Sequence, residues 1–396
     1  MTIQMAEYDV VIAGGGMTGA TLAIALAQLK PGGIPYRIAL LEAKQPQIQA
    51  HPGFDGRAIA LSAGSVSALQ QLGLWPDWQP VAHAIRHIHV SEKGHAGRVT
   101  LDAGEFELPA LGYVLGLSVA GQHLYQRLKR FSNITHYCPA SLVSFVQKPD
   151  AVMLNLSSGE QISARLLVGA EGAQSVIQQQ LNLPIRQHDF AQNAVITTLE
   201  VDQPVQYRAW ERFTGEGPLA LLPLGERTYS VVWCRSPDLA AETMQLSASA
   251  FIRQLQQTFG FRAGCFLNTG ERAMYPLSLR YLAQATHHRT VLLGNAAHQL
   301  HPVAGQGFNL AMRDIMVLQQ VLQETADPGE YSVLLNYRQQ READQQRTIW
   351  LTSSLASLFS EPAFPLVITR QLGLMLMNHI PCLKEGLVQQ ALGHRL

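Results

Sequence analysis

Tyr8 to Ala13 carries a run of β-branched apolar residues with no alternation after Asp9. That is the pattern of a strand buried on both faces, as in a parallel sheet. It breaks at Gly14, and Met17 to Leu29 then has the apolar density of a helix, followed by a second strand over Arg37 to Glu42. A strand, glycine turn, helix and strand in this order predicts a right-handed crossover with both strands in one parallel sheet. Further along, the period changes. Ala194 to Val201, Tyr207 to Phe213, Leu219 to Pro223 and Thr228 to Cys234 are short strand-like runs separated by Gly and Pro, which predicts an antiparallel sheet with Gly225-Glu226-Arg227 as a hairpin connection. Met244 to Phe259 has the spacing of one amphipathic helix. Leu166 to Ala170 and Thr290 to Leu293 read as further buried strands, and Phe308 to Glu324 as the helix after the second. The chain is therefore expected to be α/β: a Rossmann-type nucleotide domain discontinuous over 1–80, 110–183 and 284–350, an antiparallel β-sheet domain facing substrate over 81–109 and 184–283, and a helical C-terminal region over 351–396.

Composition narrows the partners. The chain has 396 residues, 47% of them hydrophobic and 15% charged, enough for a large core in more than one domain. Lys plus Arg and Asp plus Glu each total 29 without a basic tract, so no electrostatic footprint for nucleic acid is present. Cys138, Cys234, Cys265 and Cys382 form no C-x-x-C pair, which fits reduced thiols and a cytoplasmic location, peripheral at most to the inner membrane. The apolar stretches Tyr113 to Ala120 and Leu372 to Met377 are far shorter than the roughly 20 residues of a spanning helix. The tail from Ser353 to Leu396 is rich in Leu, Met, Phe and Ile and could dock a partner or touch lipid, with packing as core or subunit interface favoured over membrane contact. His83, His87, His89 and His95 cluster, but Ile85 to Val90 alternates like a strand and no Cys or carboxylate sits at ligand spacing, so no metal site is expected.

Gly14-Gly15-Gly16-Met17-Thr18-Gly19 satisfies G-x-G-x-x-G between a strand and a helix. Such glycines let the backbone approach a pyrophosphate, whose charge lies at the positive end of the helix. Glu42 ends the second strand, about 20 residues on, where an acid accepts hydrogen bonds from an adenosine ribose. This motif does not separate NAD from FAD. The second block is denser: Gly294-Asn295-Ala296-Ala297-His298-Gln299-Leu300-His301-Pro302-Val303-Ala304-Gly305-Gln306-Gly307-Phe308-Asn309 follows a strand and enters a helix. Backbone amides and a helix N-terminus there suit the electron-rich ring of a reduced flavin. His298 and His301 within it are candidates for proton movement, with packing in a turn as the alternative. Trp210, Phe213, Leu222 and Trp233 on the predicted antiparallel sheet are candidate substrate-pocket walls.

With both blocks in place, the chain resembles the group A flavoprotein monooxygenases, which share the fold of para-hydroxybenzoate hydroxylase. Asp55-Gly56-Arg57-Ala58-Ile59-Ala60-Leu61-Ser62, Glu211-Arg212-Phe213-Thr214 and Gly217-Pro218-Leu219-Ala220-Leu221-Leu222-Pro223 extend the likeness to the ubiquinone-biosynthesis hydroxylases. Within them, His51-Pro52-Gly53-Phe54-Asp55-Gly56-Arg57 and the Asn295 form of the flavin block are most similar to the branch acting on 2-polyprenyl-6-methoxyphenol. The resemblance implies that Gly14, Gly16 and Gly19 hold an FAD pyrophosphate, Glu42 the ribose, and Arg57 and Gln122 further polar contacts. It places Asn295 at the ribityl chain, Pro302 beside the reacting edge, and Gly305, Gln306, Gly307, Phe308 and Asn309 at the pyrimidine end, with Gly294 and Glu171 as further cofactor-binding residues and His301 as a catalytic candidate beside Pro302 in sequence. Three positions depart from the family pattern: Asn295 stands where an Asp is usual, Glu171 replaces the Asp of an Asp-Gly element, and Gln178 stands where many relatives have Arg.

The implied reaction uses NAD(P)H and dioxygen as cosubstrates. FAD is reduced, a C4a-hydroperoxyflavin forms, and an oxygen atom passes to a lipophilic polyprenyl phenol, giving the 1,4-benzoquinol. Alongside it stand a sibling hydroxylase acting at another ring position, a flavin enzyme reducing prenyl double bonds, and a non-catalytic FAD-bearing scaffold among other ubiquinone-biosynthesis proteins.

Overall fold

The computed structural model describes residues 7–44, 57–301 and 305–360. The remainder of the expected C-terminal region, 361–396, lies outside the described residues.

Tyr8–Ala13 is a strand buried along its whole length, flanked in parallel by Ile38–Leu41 on one side and Gln161–Gly169 on the other. Thr290–Leu292 pairs in parallel beyond Gln161–Gly169, and Ile134–Tyr137 beyond Ile38–Leu41. The absence of polar alternation in Val10 to Ala13 now has its cause: Val10 and Ile12 face one core, Val11 and Ala13 another. On the first face the helix Met17–Ala27 packs against Gln306–Leu322, and is buried on nearly every side. The second face is covered by an antiparallel hairpin, Leu142–Gln147 and Val152–Leu156, which pairs onto Gln161–Gly169.

A second sheet, nine-stranded among the described residues, runs in the order His298–Gln299, Ala273–Leu282, Ile185–Val201, Thr228–Arg235, Gly217–Pro223, Arg208–Thr214, His87–Glu92, Arg98–Asp102, with Phe266–Thr269 pairing onto Ile185–Val201. It is antiparallel except where Arg208–Thr214 meets His87–Glu92. Gly225 to Arg227 connects antiparallel neighbours, and the Leu224 amide donates to the Thr228 carbonyl at 2.9 Å. The strand expected over Ala194 to Val201 starts earlier, at Ile185, and bulges between Asp189 and Gln192, where Ala191 takes a positive φ of 51°. A small third sheet joins Ala58–Ser62, Gly112–Gly116 and His83–Ile85.

Two sequence expectations are corrected. Met244 to Phe259 is not one helix: Pro237–Gln245 ends before Leu246, whose backbone is extended, and Ala248–Phe259 begins afresh where the Ser247 hydroxyl accepts a hydrogen bond from the Ala250 amide. A serine N-cap separates two helices whose apolar spacing reads as continuous. Ile85 to Val90 is likewise not one strand. It changes sheets at Arg86, whose amide donates to the Tyr207 carbonyl, so His83–Ile85 belongs to the small sheet and His87–Glu92 to the large one. No helix among the described residues is long and apolar enough to cross a membrane.

Candidate active site

The three sheets enclose a cavity of about 1220 Å³. That is larger than the roughly 300–1,000 Å³ of a pocket for a single drug-sized ligand. One end is formed by Gly14, Gly16, Met17, Thr18, Glu42, Arg57, Glu171, Gly294, Asn295, Gln299 to His301 and Gly305 to Asn309; the other is floored by the large sheet.

The nucleotide end is built around close backbone contacts. Gly14 has φ +103°, and a Cβ there would lie 2.4 Å from the Ala170 carbonyl oxygen at the end of the neighbouring strand. A Cβ on Gly19 would lie 1.8 Å from the Gly14 carbonyl oxygen. These glycines bring strand, turn and helix together. Glu42 is buried and accepts hydrogen bonds from the Gly15 and Lys44 amides, both at 2.9 Å, which fixes its carboxylate at the cavity wall. Arg57 lines the wall with its guanidinium 4.9 Å from the Tyr275 ring centroid. Gln122 does not line the cavity. It lies half-buried more than a turn past Leu117 on the helix Leu117–Leu128, where the rotation carries it off the face that Leu117 presents.

Glu171 lines the cavity too, but its carboxylate is held at the start of the short helix Val176–Gln180: the Ser175 hydroxyl donates to it at 2.5 Å, and the Val176 and Ile177 amides donate as well. Burial pushes its pKa up and these hydrogen bonds pull it back. The extra methylene relative to Asp is taken up in reaching this helix terminus. Asn295 is exposed at the cavity wall.

Asn309 lines the cavity, but its side chain is committed to the protein. Its Oδ1 accepts from the Ser62 amide (2.9 Å) and the Ser65 hydroxyl (2.7 Å), while its Nδ2 donates to the Ala60 (2.9 Å) and Gly305 (2.7 Å) carbonyls. The side chain has no donor left for a ligand. It ties the strand Ala58–Ser62 to the Gly305–Phe308 turn and so shapes the wall.

The two histidines of the block separate. His298 turns away from the cavity, its Nε2 2.6 Å from Asp314 Oδ2 in the core between the last two helices. His301 lines the cavity, packed edge-on to Phe190 at 4.8 Å, with Nε2 3.4 Å from Gln192 Oε1. Burial lowers its pKa to about 4, so the ring is neutral at pH 7. Pro302 lies outside the described residues.

At the sheet end, strand alternation sorts the expected walls. Phe213 and Leu222 line the cavity. Trp233 does not: it stands on the opposite face, against Phe251 of the helix Ala248–Phe259 at 6.0 Å. Trp210 touches the cavity lining, but its ring is in that same helix-covered core, Nε1 donating to the Tyr229 hydroxyl at 3.1 Å and the ring edge-on to Phe259 at 5.8 Å. Both tryptophans are one residue out of step with the inward-facing set Ala209, Glu211, Phe213 and Ser230, Val232. Glu211, quoted in the sequence only as part of a family motif, is the site residue that sequence reasoning missed. An acid alternating in phase with Ala209 and Phe213 was the available signal.

Of the clustered histidines, His87 pairs with Asp102 at 2.9 Å, His95 lies 3.9 Å from Glu92, and His89 packs against Trp210 with ring centroids 5.0 Å apart and the planes tilted by 60°. No three metal-ligating side chains converge among the described residues.

Residues 7–351 match the family model described as FAD binding domain. The chain is 32% identical over 389 residues to ubiquinone hydroxylase UbiL of Rhodospirillum rubrum, covering 97% of this chain and 89% of that protein. It is 33% identical over 403 residues to 3-demethoxyubiquinol 3-hydroxylase of Escherichia coli, covering 99% of this chain and all of that protein. The chain belongs to the FAD-binding-domain family of flavoprotein hydroxylases. Among solved structures, p-nitrophenol 4-monooxygenase from Pseudomonas putida superposes with a TM-score of 0.79 over 98% of this chain and 99% of its own, at 16% identity, a likeness of fold.

This flavoprotein is an FAD-dependent monooxygenase, with NAD(P)H and dioxygen as cosubstrates. The residues present fit FAD. Gly16 and Gly307, both on the cavity wall, have no atom within 4 Å of where a side chain would start, so backbone alone faces the space at each end of the nucleotide region. The helices Met17–Ala27 and Gln306–Leu322 begin at that wall with no acid in the first turn, so their positive ends face the cavity without a competing negative charge.

Proposed function

We propose that this flavoprotein hydroxylates the aromatic ring of a polyprenylated phenol in ubiquinone biosynthesis, converting 2-polyprenyl-6-methoxyphenol to the 1,4-benzoquinol. The observation that carries this reading is the continuity of one cavity from the glycine turn at Gly14 to an apolar floor containing Ile88, Val90, Ala220, Leu222 and Val232. A nucleotide-scale polar end and a lipophilic end in one enclosure suit a redox cofactor facing a prenylated ring. The domain division favoured by the sequence, 1–80, 110–183 and 284–350 for FAD, 81–109 and 184–283 for substrate, and 351–396 as a helical extension, is part of the same proposal.

In this reading Gly14, Gly16 and Gly19 admit the FAD pyrophosphate, Glu42 accepts from the ribose, and Asn295 meets the ribityl chain. Arg57 adds a cation on the same wall, and Gly305 to Phe308 present backbone to the flavin, with Asn309 holding that turn in place. When bound, FAD supplies the two-electron reduction and oxygen activation that no side chain can. The chain's own work is to orient the ring, exclude water and control protons. Phe213, Val99 and Leu101 pack together at the cavity wall and keep it dry. His301, neutral and facing the cavity, can relay a proton, taking one on one ring nitrogen as it gives one up from the other. Phe213→Ala should lower product formed per NAD(P)H consumed several-fold and cost about 3–5 kcal/mol of stability. Unchanged coupling in a folded variant would remove Phe213 from the substrate wall.

A sibling reaction at another ring position is the second reading, favoured by the end-to-end identity with an enzyme named for 3-hydroxylation of demethoxyubiquinol. Mass spectrometry of products from the FAD-loaded protein, given NADPH or NADH, short-chain prenyl phenols and labelled dioxygen, tests both. One labelled oxygen para to the hydroxyl of 2-prenyl-6-methoxyphenol supports the first. Label only in a demethoxyquinol acceptor supports the sibling. Peroxide without labelled product counts against ring hydroxylation of either kind.

A further inference from the structure

Among the described residues three carboxyl groups line the cavity, and two of them are accounted for: Glu42 and Glu171 both accept backbone amides at the nucleotide end. Glu211 is different. It lies mid-strand in Arg208–Thr214, directly opposite Val90 in one neighbouring strand and Ala220 in the other. Ala220 in turn faces Val232, and Val232 faces Ile196, so a single cross-strand row reads Val90, Glu211, Ala220, Val232, Ile196. Ala209 and Phe213 are its same-face neighbours along the strand. The carboxyl is thus set among small and branched apolar groups on the cavity floor, with no hydrogen bond or ion pair among the described residues.

An unpartnered carboxyl in such a place costs stability, and an apolar side chain would serve the sheet better. What it offers is a proton acceptor where a ring would rest. The small side chains of Ala209 and Ala220 beside it leave room for a planar group against the sheet.

We propose that Glu211 is the acid–base residue that takes the proton from the ring hydroxyl of the phenol. The phenol O–H bond breaks, its proton passes to the carboxylate, and the electron pair remains on the phenolate oxygen, enriching the ring carbons ortho and para to it. The negative charge of the pocket moves from carboxylate to ring oxygen, so no counter-ion or further reactant is needed. This assignment rests on the phenol reading above.

The surroundings favour that transfer. Burial raises the Glu211 carboxyl to about 7, toward the range near 10 of an ordinary phenol, so moving the proton is far less uphill than to a solvated carboxylate. The Cys234 thiol is pushed up by burial and by the proximity of Glu211, so it is no competing base. The strands His87–Glu92 and Arg98–Asp102 add Ile88, Val90, Val99 and Leu101 to the lining, which do not titrate, and Gly217–Pro223 adds Ala220 and Leu222. Ser230 of Thr228–Arg235 and Tyr275, stacked under Arg57, are the other polar groups on that side, with His301 at the flavin block.

The test reads the bound phenol directly. FAD-loaded protein without NAD(P)H is mixed with 2-alkyl-4-nitrophenol, whose ionised form absorbs at longer wavelength, and the bound spectrum is followed across neutral pH. Wild type should hold the phenolate, while Glu211→Gln should hold the neutral phenol at the same pH, its bound midpoint shifted to higher pH by a tenfold or greater fall in proton concentration. Turnover should fall by about 10²–10⁴ with little change in KM, as for loss of an acid–base group. Glu211→Asp should recover part of both effects, and it gives the same readout should the Gln variant not fold. A phenol equally or more ionised in Glu211→Gln would overturn the assignment, since a carboxylate that merely repels phenolate gives that result. If the probe binds and its ionisation ignores Glu211, only the base assignment falls; if no phenol binds to wild type, the phenol reading falls with it.

Discussion

Gly19→Ala is expected to abolish stoichiometric FAD retention. A Cβ at this position would stand 1.8 Å from the Gly14 carbonyl oxygen and 3.0 Å from its carbon, and both are backbone atoms that cannot rotate aside. The helix Met17–Ala27 would have to withdraw from the turn, yet it is packed against Gln306–Leu322 and Leu117–Leu128 and is buried on nearly every side. Overpacking of this kind costs about 1–3 kcal/mol or more. Spent on displacing the turn, that weakens FAD binding by roughly 10- to 100-fold, at about 1.4 kcal/mol per factor of ten. Gly16→Ala provides the contrast. Its Cβ meets no protein atom within 4 Å, so the fold should be unaffected and only the space offered to the pyrophosphate reduced. Flavin absorbance after gel filtration, with thermal unfolding of the FAD-free protein, separates the two. Gly19→Ala should lose both flavin and stability, Gly16→Ala flavin alone. Full flavin retention in Gly19→Ala would mean that the close helix–turn contact is not what builds the site.

That contact was legible in the sequence, because G-x-G-x-x-G between a β-branched run and a helix has few other physical uses. The parallel core was legible for the same reason: a strand buried on both faces leaves an unalternating pattern, as in Val10 to Ala13. The antiparallel sheet was readable strand by strand, but its inward face was not. A two-residue period fixes which residues share a face, and only the packing of Pro237–Gln245 and Ala248–Phe259 decides which face is covered. Bulk favoured Trp210 and Trp233 for the pocket, and these are the residues that helices bury most profitably. The small residues Ala209 and Ala220 and the acid Glu211 were left to the cavity. Asn309 is a different case: its place in the flavin block was visible, whereas three of the four hydrogen bonds that saturate its side chain reach residues about 250 positions away. Nothing local in sequence distinguishes His298 from His301 either, since their separation depends on Asp314, a full turn and more into the next helix.

Asp314 carries the second large effect. It is fully buried, and its two oxygens accept from His298 Nε2 at 2.6 Å, Arg341 Nε at 2.7 Å and Gln345 Nε2 at 2.9 Å. Burial pushes its pKa up, but the Arg341 guanidinium and His298 outweigh that and hold the carboxyl well below the usual range. Because the folded-state value is depressed, the contribution is present in full above the unfolded value near 4 and is lost only as pH falls further. Asp314→Asn should therefore destabilise at neutral pH by about 3–5 kcal/mol, because it leaves a buried guanidinium without its main counter-charge. The loss should fall toward the lower end of that range, since Arg341 keeps a second partner, Asp344, at 2.6 Å from Nη1. The double variant Asp314→Leu, Arg341→Met should be more stable than Asp314→Asn, since removing both charges spares the uncompensated one. Thermal unfolding compares the three, and a double variant less stable than Asp314→Asn would show that the ion pair itself, not the cost of orphaning it, holds these helices. The site should register the change as well. His298 is anchored by Asp314 and sits next to Gln299, Leu300 and His301, which line the cavity. Flavin affinity should fall with stability in Asp314→Asn, and unchanged affinity would mean that the cavity wall keeps its shape without the clamp.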